Sequence, residues 1–423
     1  MRAHHIALPA VFLFALAAPA RGADVARLSL DDALAAMRRQ NPEVLAAALK
    51  VSAAGGDLLT ARALPNPTLS GSVGNFSLGQ TNPPGLSVHD TIVTQAGLSE
   101  EFVLWGKRGQ RIAQALGQQA EAMAERTDLD RRLAYEVKSH FFDLLAESER
   151  LRLARDELAR YGETVKVSQA RAKAGEISPA DFDRIALEQR GVEHEVDDAA
   201  LERRHAAGEL LVLIGIDAPD AEAVGNLQLH AREQDVDALI QQAFERRPDL
   251  TAAERTADAA DAALRLARAE RWPNVTLGLQ YTHSQFTVSG DLSNQLTANF
   301  SLPLPVVDQN QGAIERAAAE AAMARSDVAK LKLEIPQEVR TAVTTYTAAK
   351  ERVRRFESEF LGRASEARQS VQVSYREGSV SVLELLEAER AYLSTQREYL
   401  DALRDAHTAG ADIERAAATE VQP

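Results

Sequence analysis

Histidine and carboxylate side chains are the groups in this sequence that could bind a metal ion or move protons. After residue 22, no two histidines stand three or four residues apart, the spacing that would put both on one face of a helix. These histidines are His89, His140, His194, His205, His230, His283 and His407. There is also no nucleophile elbow, phosphate-binding loop or H-E-x-x-H motif. We therefore predict no catalytic residue, no resident metal and no cofactor, and expect that the protein is not an enzyme.

The composition excludes further classes of function. The chain of 423 residues has a formal net charge of −14 and an isoelectric point near 5.3, which argues against nucleic acid as a partner. It contains no cysteine, so disulfides, thiolate metal sites and an N-terminal lipidated cysteine are all impossible.

The first residues are typical of an exported protein. Arg2 precedes an apolar run from Ile6 to Ala18, which is shorter than the roughly 20 residues of a membrane-spanning helix. Small residues follow the run, so we predict a signal peptide over residues 1–22, cleaved after Gly22. No later segment has 18 continuous apolar residues. A membrane-spanning part would therefore have to consist of strands.

The rest of the chain contains the same sequence pattern twice. The stretch "LPNPTLSGSVG" from Leu64 returns as "WPNVTLGLQYT" from Trp272, and other positions repeat at spacings of 203 to 208 residues. The matched pairs are Pro42 and Pro248, Pro65 and Pro273, Gly109 and Gly312, and Gly175 and Gly378. We predict a tandem duplication with a first repeat over 23–233, a second over 234–415 and a disordered tail over 416–423.

Each repeat contains two segments that read as strands. Apolar and polar residues alternate over 275–282 and 295–304, and more weakly over 68–73 and 92–98. Strands of a membrane β-barrel alternate in this way, and so do strands of a soluble antiparallel sheet with one wet face. Four strands per chain are too few for a membrane barrel, which needs about eight, so a barrel would require an oligomer.

Long helices fill the remainder of each repeat. Residues 107–174 contain no proline, and a helix of that length would extend about 100 Å. Apolar residues recur every seventh position, which predicts packing like that of a coiled coil. The two seams are Val137, Leu144, Leu151, Leu158 and Val165, and Val339, Tyr346, Val353, Phe360 and Ala367. Small and polar residues between them suit a hollow cylinder, although a solid bundle fits as well.

Each long helix is expected to turn back at a glycine. Gly175 and Gly378 precede Ser178 and Ser381, which are good N-cap residues. Glu384 lies three residues after Ser381, as in a capping box. We therefore predict the tips of two helical hairpins, at the far end of the rods from the strands.

Together these features resemble the TolC-like outer-membrane efflux proteins of Gram-negative bacteria, and "VLWGKRGQRI" from Val103 is most similar to their heavy-metal cation efflux branch. The resemblance implies a mainly helical fold with a membrane β-barrel. Three chains would form one twelve-stranded barrel in outer-membrane lipid and a helical tunnel in the periplasm. It also implies two partners, a periplasmic adaptor protein and an inner-membrane pump of the resistance-nodulation-division type.

The resemblance assigns roles to particular residues. A periplasmic gate would use Glu384, Glu387 and Tyr375, while Val380 stands where the family often has an arginine. Capping is an equally good account of Glu384, and a solvated helix face is the simpler account of Glu387. The adaptor would contact the tips at Gly175, Ser178, Gly378 and Ser381. Trp105, Lys107 and Arg108 would be anchors at the membrane interface.

The implied function is that of a passive exit duct, most simply for heavy-metal cations, supplied by the pump and the adaptor. The alternatives are a drug-efflux or type I secretion channel on the same scaffold, and a soluble periplasmic coiled-coil protein.

Overall fold

The computed structural model of the chain describes residues 26–81, 83–229, 233–287 and 292–419. In chain order the elements are β1 (Ala26–Leu28), α1 (Leu30–Gln40), α2 (Pro42–Arg62), β2 (Thr68–Gly74), α3 (Val88–Thr91), β3 (Val93–Phe102), α4 (Lys107–Lys173), α5 (Pro179–Ile214), β4 (Ala221–Ala223), α6 (Val236–Arg246), α7 (Pro248–Glu270), β5 (Val275–Ser284), β6 (Asn294–Ser301), α8 (Gln311–Arg355), a π-helical turn (Phe356–Phe360), α9 (Leu361–Arg376) and α10 (Val382–Ala417).

The predicted signal peptide lies outside the described residues. The predicted tail overlaps α10, because Ala416 and Ala417 are helical and buried, so the prediction of disorder is wrong for these two residues. Residues 420–423 lie outside the described part of the chain.

The duplication is visible in the order of the elements. Two helices separated by a break before proline lead into two strands, a long helix, a tight turn and a returning helix in each half. The break itself is built differently in the two halves. Asn41 caps α2 by accepting hydrogen bonds from the Glu43 and Val44 amides at 2.7 and 3.2 Å. At the equivalent position stands Arg247, whose side chain is nearly fully buried.

Arg247 ties three helices together. Its Nε donates to Asp249 at 3.0 Å, and its Nη1 donates to Glu338 on α8 at 2.6 Å. Nη1 also approaches the carbonyl of Ala416 near the end of α10 at 3.3 Å. These bonds raise the pKa of Arg247 against the opposing effect of burial, so the side chain stays charged. The second repeat thus uses an ion pair where the first uses an amide cap.

The four predicted strands form one antiparallel sheet in the order β2-β3-β5-β6. The central pair joins the repeats, because β3 aligns with β5 from Val93 opposite Ser284 to Phe102 opposite Val275. Leu69, Leu296 and Phe300 are largely exposed, so the sheet presents apolar side chains to its surroundings. A second, parallel pair of short strands, β1 and β4, was not predicted from the sequence.

One described helix, α2, has the length and composition of a membrane span, with 21 residues and a mean hydropathy of 1.4. Length and composition alone are weak grounds for a span, since packed helices of soluble proteins share them. Here α2 lies along α4 within the helical layer.

The long helix of the first repeat is confirmed, because α4 runs without interruption for 67 residues. Its seam residues Val137, Leu144 and Leu151 are buried, whereas Leu158 and Val165 are only partly buried. The part of the seam that contains Val137 and Leu144 packs with α1, α5 and α10 in the largest apolar core. The first hairpin consists of α4 and α5, and the second of α9 and α10. A separate small core joins the two hairpins near their tips.

The predicted seam of the second repeat is wrong beyond its third member. Val339, Tyr346 and Val353 are buried, but Phe360 and Ala367 are exposed. The cause is the π-helical turn Phe356–Phe360, which places an extra residue in one turn and rotates everything that follows. A heptad count that continues through this turn therefore points to the wrong face of α9.

Candidate functional site

The turns at the two hairpin tips follow the predicted chemistry. Gly175 and Gly378 adopt φ values of 81° and 75°, a left-handed conformation that side chains other than glycine disfavour. Ser178 then caps α5 by accepting from the Asp181 amide at 3.1 Å. Ser381 and Glu384 form the predicted capping box at the start of α10, with the Glu384 amide donating to Ser381 Oγ at 3.3 Å. All four predicted tip residues Gly175, Ser178, Gly378 and Ser381 are exposed.

Tyr375 joins the two hairpins. Its ring is almost fully buried although it lies only three residues before Gly378. The Tyr375 hydroxyl lies 3.0 Å from the hydroxyl of Ser168 on α4, which is also buried. Arg171, one turn further along α4, donates from Nη1 to the Tyr375 carbonyl at 2.8 Å and holds its guanidinium 5.2 Å from the centre of the ring. Three contacts thus connect the end of α9 to α4.

Sequence reasoning did not identify Ser168 and Arg171. Val380 stands two residues after Gly378, at the position expected for a cationic partner, whereas the cation beside Tyr375 is Arg171 of the first repeat. Arg171 also pairs with Glu176 across its own tip, Nε to carboxylate at 3.2 Å. The only sequence signal is the position of Arg171 four residues before Gly175, in the last turn of a long helix.

Glu384 and Glu387 lie one turn apart on the exposed side of α10. The Glu384 carboxylate accepts from Ser381 Oγ at 3.0 Å, so it caps its own helix. The neighbouring side chains Leu385 and Leu386 are buried against the first hairpin. The two carboxylates therefore face away from the contact between the hairpins, and their lining of a pore stays a prediction.

At the other end of the rods, the W-G-K-R phrase connects the repeats to each other. The Trp105 ring lies 5.6 Å from that of Trp272, centre to centre, and its Nε1 donates to the Pro273 carbonyl at 2.9 Å. Lys107 donates from its ammonium group to Asn274 Oδ1 at 2.8 Å. These contacts join the start of α4 to the entry of β5.

The predicted anchors differ in how far they reach the surface. Trp105 and Arg108 are exposed, but Lys107 is only 5% exposed. Arg108 donates through Nε and Nη2 to the carbonyl of Arg62, at 3.1 and 2.6 Å, and so holds the end of α2 beside α4. Lys107 therefore has an internal bonding role, while anchoring of Trp105 and Arg108 at a membrane interface stays a prediction.

Comparison with known proteins decides the family. The sequence profile described as "Outer membrane efflux protein" matches residues 33–215 and again residues 239–419. The chain belongs to this family. It is an efflux channel of the outer membrane that extends into the periplasm, and it is not an enzyme.

Individual relatives agree with this assignment. The chain is 24% identical over 389 residues to the cobalt-zinc-cadmium resistance protein CzcC of Cupriavidus metallidurans, covering 92% of this chain and 89% of CzcC. It is 26% identical over 311 residues to the nickel and cobalt resistance protein CnrC of the same species, covering 73% and 71%. The crystal structure of CusC superposes with a TM-score of 0.77 at 18% identity, covering 92% and 91%, which shows a shared fold.

The channel has few groups arranged for chemistry beyond ion pairing. Among residues 26–419, apart from the short gaps, no three histidine or acidic side chains are grouped so that they could hold a metal ion. Its side-chain chemistry lies instead in contacts between helices, and the tip network of Ser168, Arg171 and Tyr375 contains one of the three predicted gate residues.

Proposed function

We propose that this channel is a homotrimer in which each chain contributes four strands to one twelve-stranded barrel. The observation that carries the proposal is the single antiparallel sheet of four strands, whose outer strands β2 and β6 each have only one partner among the described residues. Unpaired strand edges and exposed apolar side chains are stable in a bilayer only when a barrel closes. Pairing β6 of one copy with β2 of the next would close it.

The helices support the same assembly. Leu45, Leu49 and Leu59 on α2 are half or more exposed in the single chain. Exposed leucines on one face of a helix that packs along α4 suit a contact surface. Neighbouring copies would cover it. We also propose the repeat boundaries 23–233 and 234–415, because each then contains one complete set of helix, strand and hairpin.

The gate would lie at the hairpin tips. In a trimer, Glu384 and Glu387 occur three times each around the axis, and a ring of like charges attracts cations and concentrates them at a constriction. Tyr375 would hold the second hairpin against the first through Ser168 and Arg171. Opening the gate would require these contacts to break.

The channel would act as the exit duct of a tripartite system. An adaptor protein would bind the exposed tips at Gly175, Ser178, Gly378 and Ser381, and an inner-membrane pump of the resistance-nodulation-division type would supply the energy. The names of CzcC and CnrC point to heavy-metal cations as cargo.

The duct is tested by single-channel recording on purified trimers. Replacing both gate carboxylates, Glu384→Ala with Glu387→Ala, should lower cation preference and weaken block by divalent cations. Glu163→Ala is the matched control, since Glu163 is an exposed carboxylate on α4. A purified, folded protein that is monomeric and does not conduct would overturn the trimer. Unchanged selectivity in the double variant would remove these two residues from the gate.

The cargo is tested separately in cells. A strain that lacks this chain should become sensitive to cobalt, zinc or cadmium, and the intact gene should restore resistance. Sensitivity confined to organic drugs would contradict the metal assignment while leaving the channel itself intact.

A further inference from the structure

Two buried carboxylates lie beside the small apolar core near the tips, where the second hairpin packs on the first. Glu157 on α4 is 1% exposed and Glu389 on α10 is 6% exposed. Both line a small cavity of about 10 Å³, the size of one water molecule. One oxygen of each carboxylate accepts a hydrogen bond. Glu157 Oε2 accepts from Arg160 at 2.6 Å, and Glu389 Oε1 accepts from Gln372 on α9.

The second oxygen of each carboxylate is buried without a hydrogen-bond partner among the described residues. These atoms are Glu157 Oε1 and Glu389 Oε2. A buried carboxylate oxygen without a donor is costly, because it has lost its water and gained nothing in return. Neither of these two oxygens has a donor directed at it, and a proton on Glu157 would supply one.

The charges around the two carboxylates do not remove this deficit. From α4 come Arg160 and Tyr161, from α5 Glu188, from α9 Arg368, and from α10 Arg390 and Tyr392. Arg390 is occupied by Glu188, at 2.6 Å. Arg368 stacks 3.9 Å from the centre of the Tyr392 ring, and its Nε and Nη1 have no hydrogen-bond partner in the described chain. Burial raises the pKa of Glu157 and the charge of Glu389 adds to the rise, while the Arg160 hydrogen bond and the charges of Arg160 and Arg368 oppose it.

We propose that Glu157 is a proton-binding site, facing Glu389 across this cavity, and that the proton strengthens the contact between the two hairpins. The bound proton comes from solvent and turns Glu157 into a hydrogen-bond donor for the free oxygen of Glu389. The ligand is thus a single proton, and the element it controls is the packing of α10 on α4.

The direction follows from comparing packed and separated hairpins. In the separated state Glu157 is solvated and its pKa has the ordinary value, whereas in the packed state its pKa is higher. The packed state therefore binds the proton more tightly, so lowering the pH through the raised pKa stabilises the packed state. Raising the pH above it favours separation. A tenfold difference in proton affinity between the two states changes the opening equilibrium by about the same factor of ten.

The test is the labelling rate of a buried cysteine in the full-length assembly. The chain has no cysteine of its own, so Leu386→Cys introduces one thiol beside the cavity. Leu383→Cys on the same helix is exposed and corrects for the pH dependence of the reagent. The ratio of interest is the labelling rate of Leu386→Cys divided by that of Leu383→Cys. This ratio should fall as the medium is acidified from pH ~8 to ~5, by about tenfold if the packed state binds the proton tenfold more tightly than the separated state.

Replacement of Glu157 gives the decisive comparison. Glu157→Gln carries a permanent donor, so it should show the low labelling ratio at every pH. Glu163→Gln is the matched control, because Glu163 pairs with Lys166 three residues later as Glu157 pairs with Arg160, but is exposed. The control should keep the wild-type profile. A flat profile in wild type, or an unchanged one in Glu157→Gln, overturns the proposal.

A second measurement does not depend on cysteine variants. Infrared spectra recorded on acidification should show a buried protonated carboxyl group that disappears in Glu157→Gln and persists in Glu163→Gln. Absence of this band in wild type also overturns the proposal. Neither readout uses conduction, so failure of the proposed duct and failure of this site are distinguishable.

Discussion

The hydroxyl pair of Ser168 and Tyr375 yields an asymmetric prediction. The two hydroxyls lie 3.0 Å apart, and both residues are nearly completely buried. In Ser168→Ala the phenol of Tyr375 loses the one hydrogen-bond partner that it has among the described residues. In Tyr375→Phe the remaining Ser168 hydroxyl can rotate towards the carbonyl one turn back on its own helix, as helical serines do. Removing the smaller side chain should therefore cost more.

The magnitudes follow from the cost of leaving a buried polar group unpaired, about 1–3 kcal/mol. We expect about 2 kcal/mol for Ser168→Ala and about 1 kcal/mol for Tyr375→Phe, or roughly 30-fold and 5-fold increases in local opening. The double variant should lie no higher than Ser168→Ala alone, because replacing both partners by apolar groups leaves nothing unsatisfied.

Hydrogen exchange of the amides in residues 369–376 measures this opening in the intact assembly. Thr164→Ala is the matched control, because the bond of the Thr164 hydroxyl within the described chain goes to the Arg160 carbonyl on its own helix. It should leave exchange in α9 unchanged. Equal effects of the two single variants would refute the argument from rotation, and strictly additive effects in the double variant would refute the hydrogen bond itself.

Two further predictions concern assembly of the fold. Arg247→Ala removes a buried guanidinium and leaves the partly exposed carboxylates of Asp249 and Glu338 without it, which should cost about 1–3 kcal/mol and lower the melting temperature, whereas an unchanged melting temperature would mean that solvent replaces the arginine. Gly117→Ala should also destabilise, because a Cβ there would meet that of Ala259 at 2.8 Å. Gly191→Ala, with open space around it, should stabilise by about 0.5–1 kcal/mol, and thermal melts that place both glycine variants on the same side of wild type contradict this reasoning.

The sequence predicts the elements of this channel well where the signal is local. A proline-free stretch over 107–174 became α4, Lys107–Lys173, and alternation from Val275 became β5, Val275–Ser284. Helix length and strand alternation depend on neighbouring residues alone. The caps at Ser178 and Ser381 are local for the same reason.

What the sequence could not provide depends on contacts between distant residues. The role of Arg171 requires α4 and α9 to end side by side, and the burial of Lys107 requires the start of α4 to meet Asn274. The π-helical turn leaves no pattern in "FESEF" that distinguishes it from an α-helix. The misassigned Phe360 followed from that turn.

The two hairpins share a backbone plan but are held by different chemistry. Towards its tip, α4 buries Ala154, Glu157, Tyr161 and Ser168, whereas Tyr375 is the single buried residue of α9 in the described structure. With so little apolar area buried by α9, this helix depends on hydroxyls, guanidinium groups and carboxylates for its attachment, whereas α10 is attached through the apolar side chains of Leu385 and Leu386. Such polar and charged groups contribute little net stability, but their contribution changes with charge and with partner. Duplication gave the two rods the same order of elements, and side-chain divergence gave α9 a more polar attachment than α4.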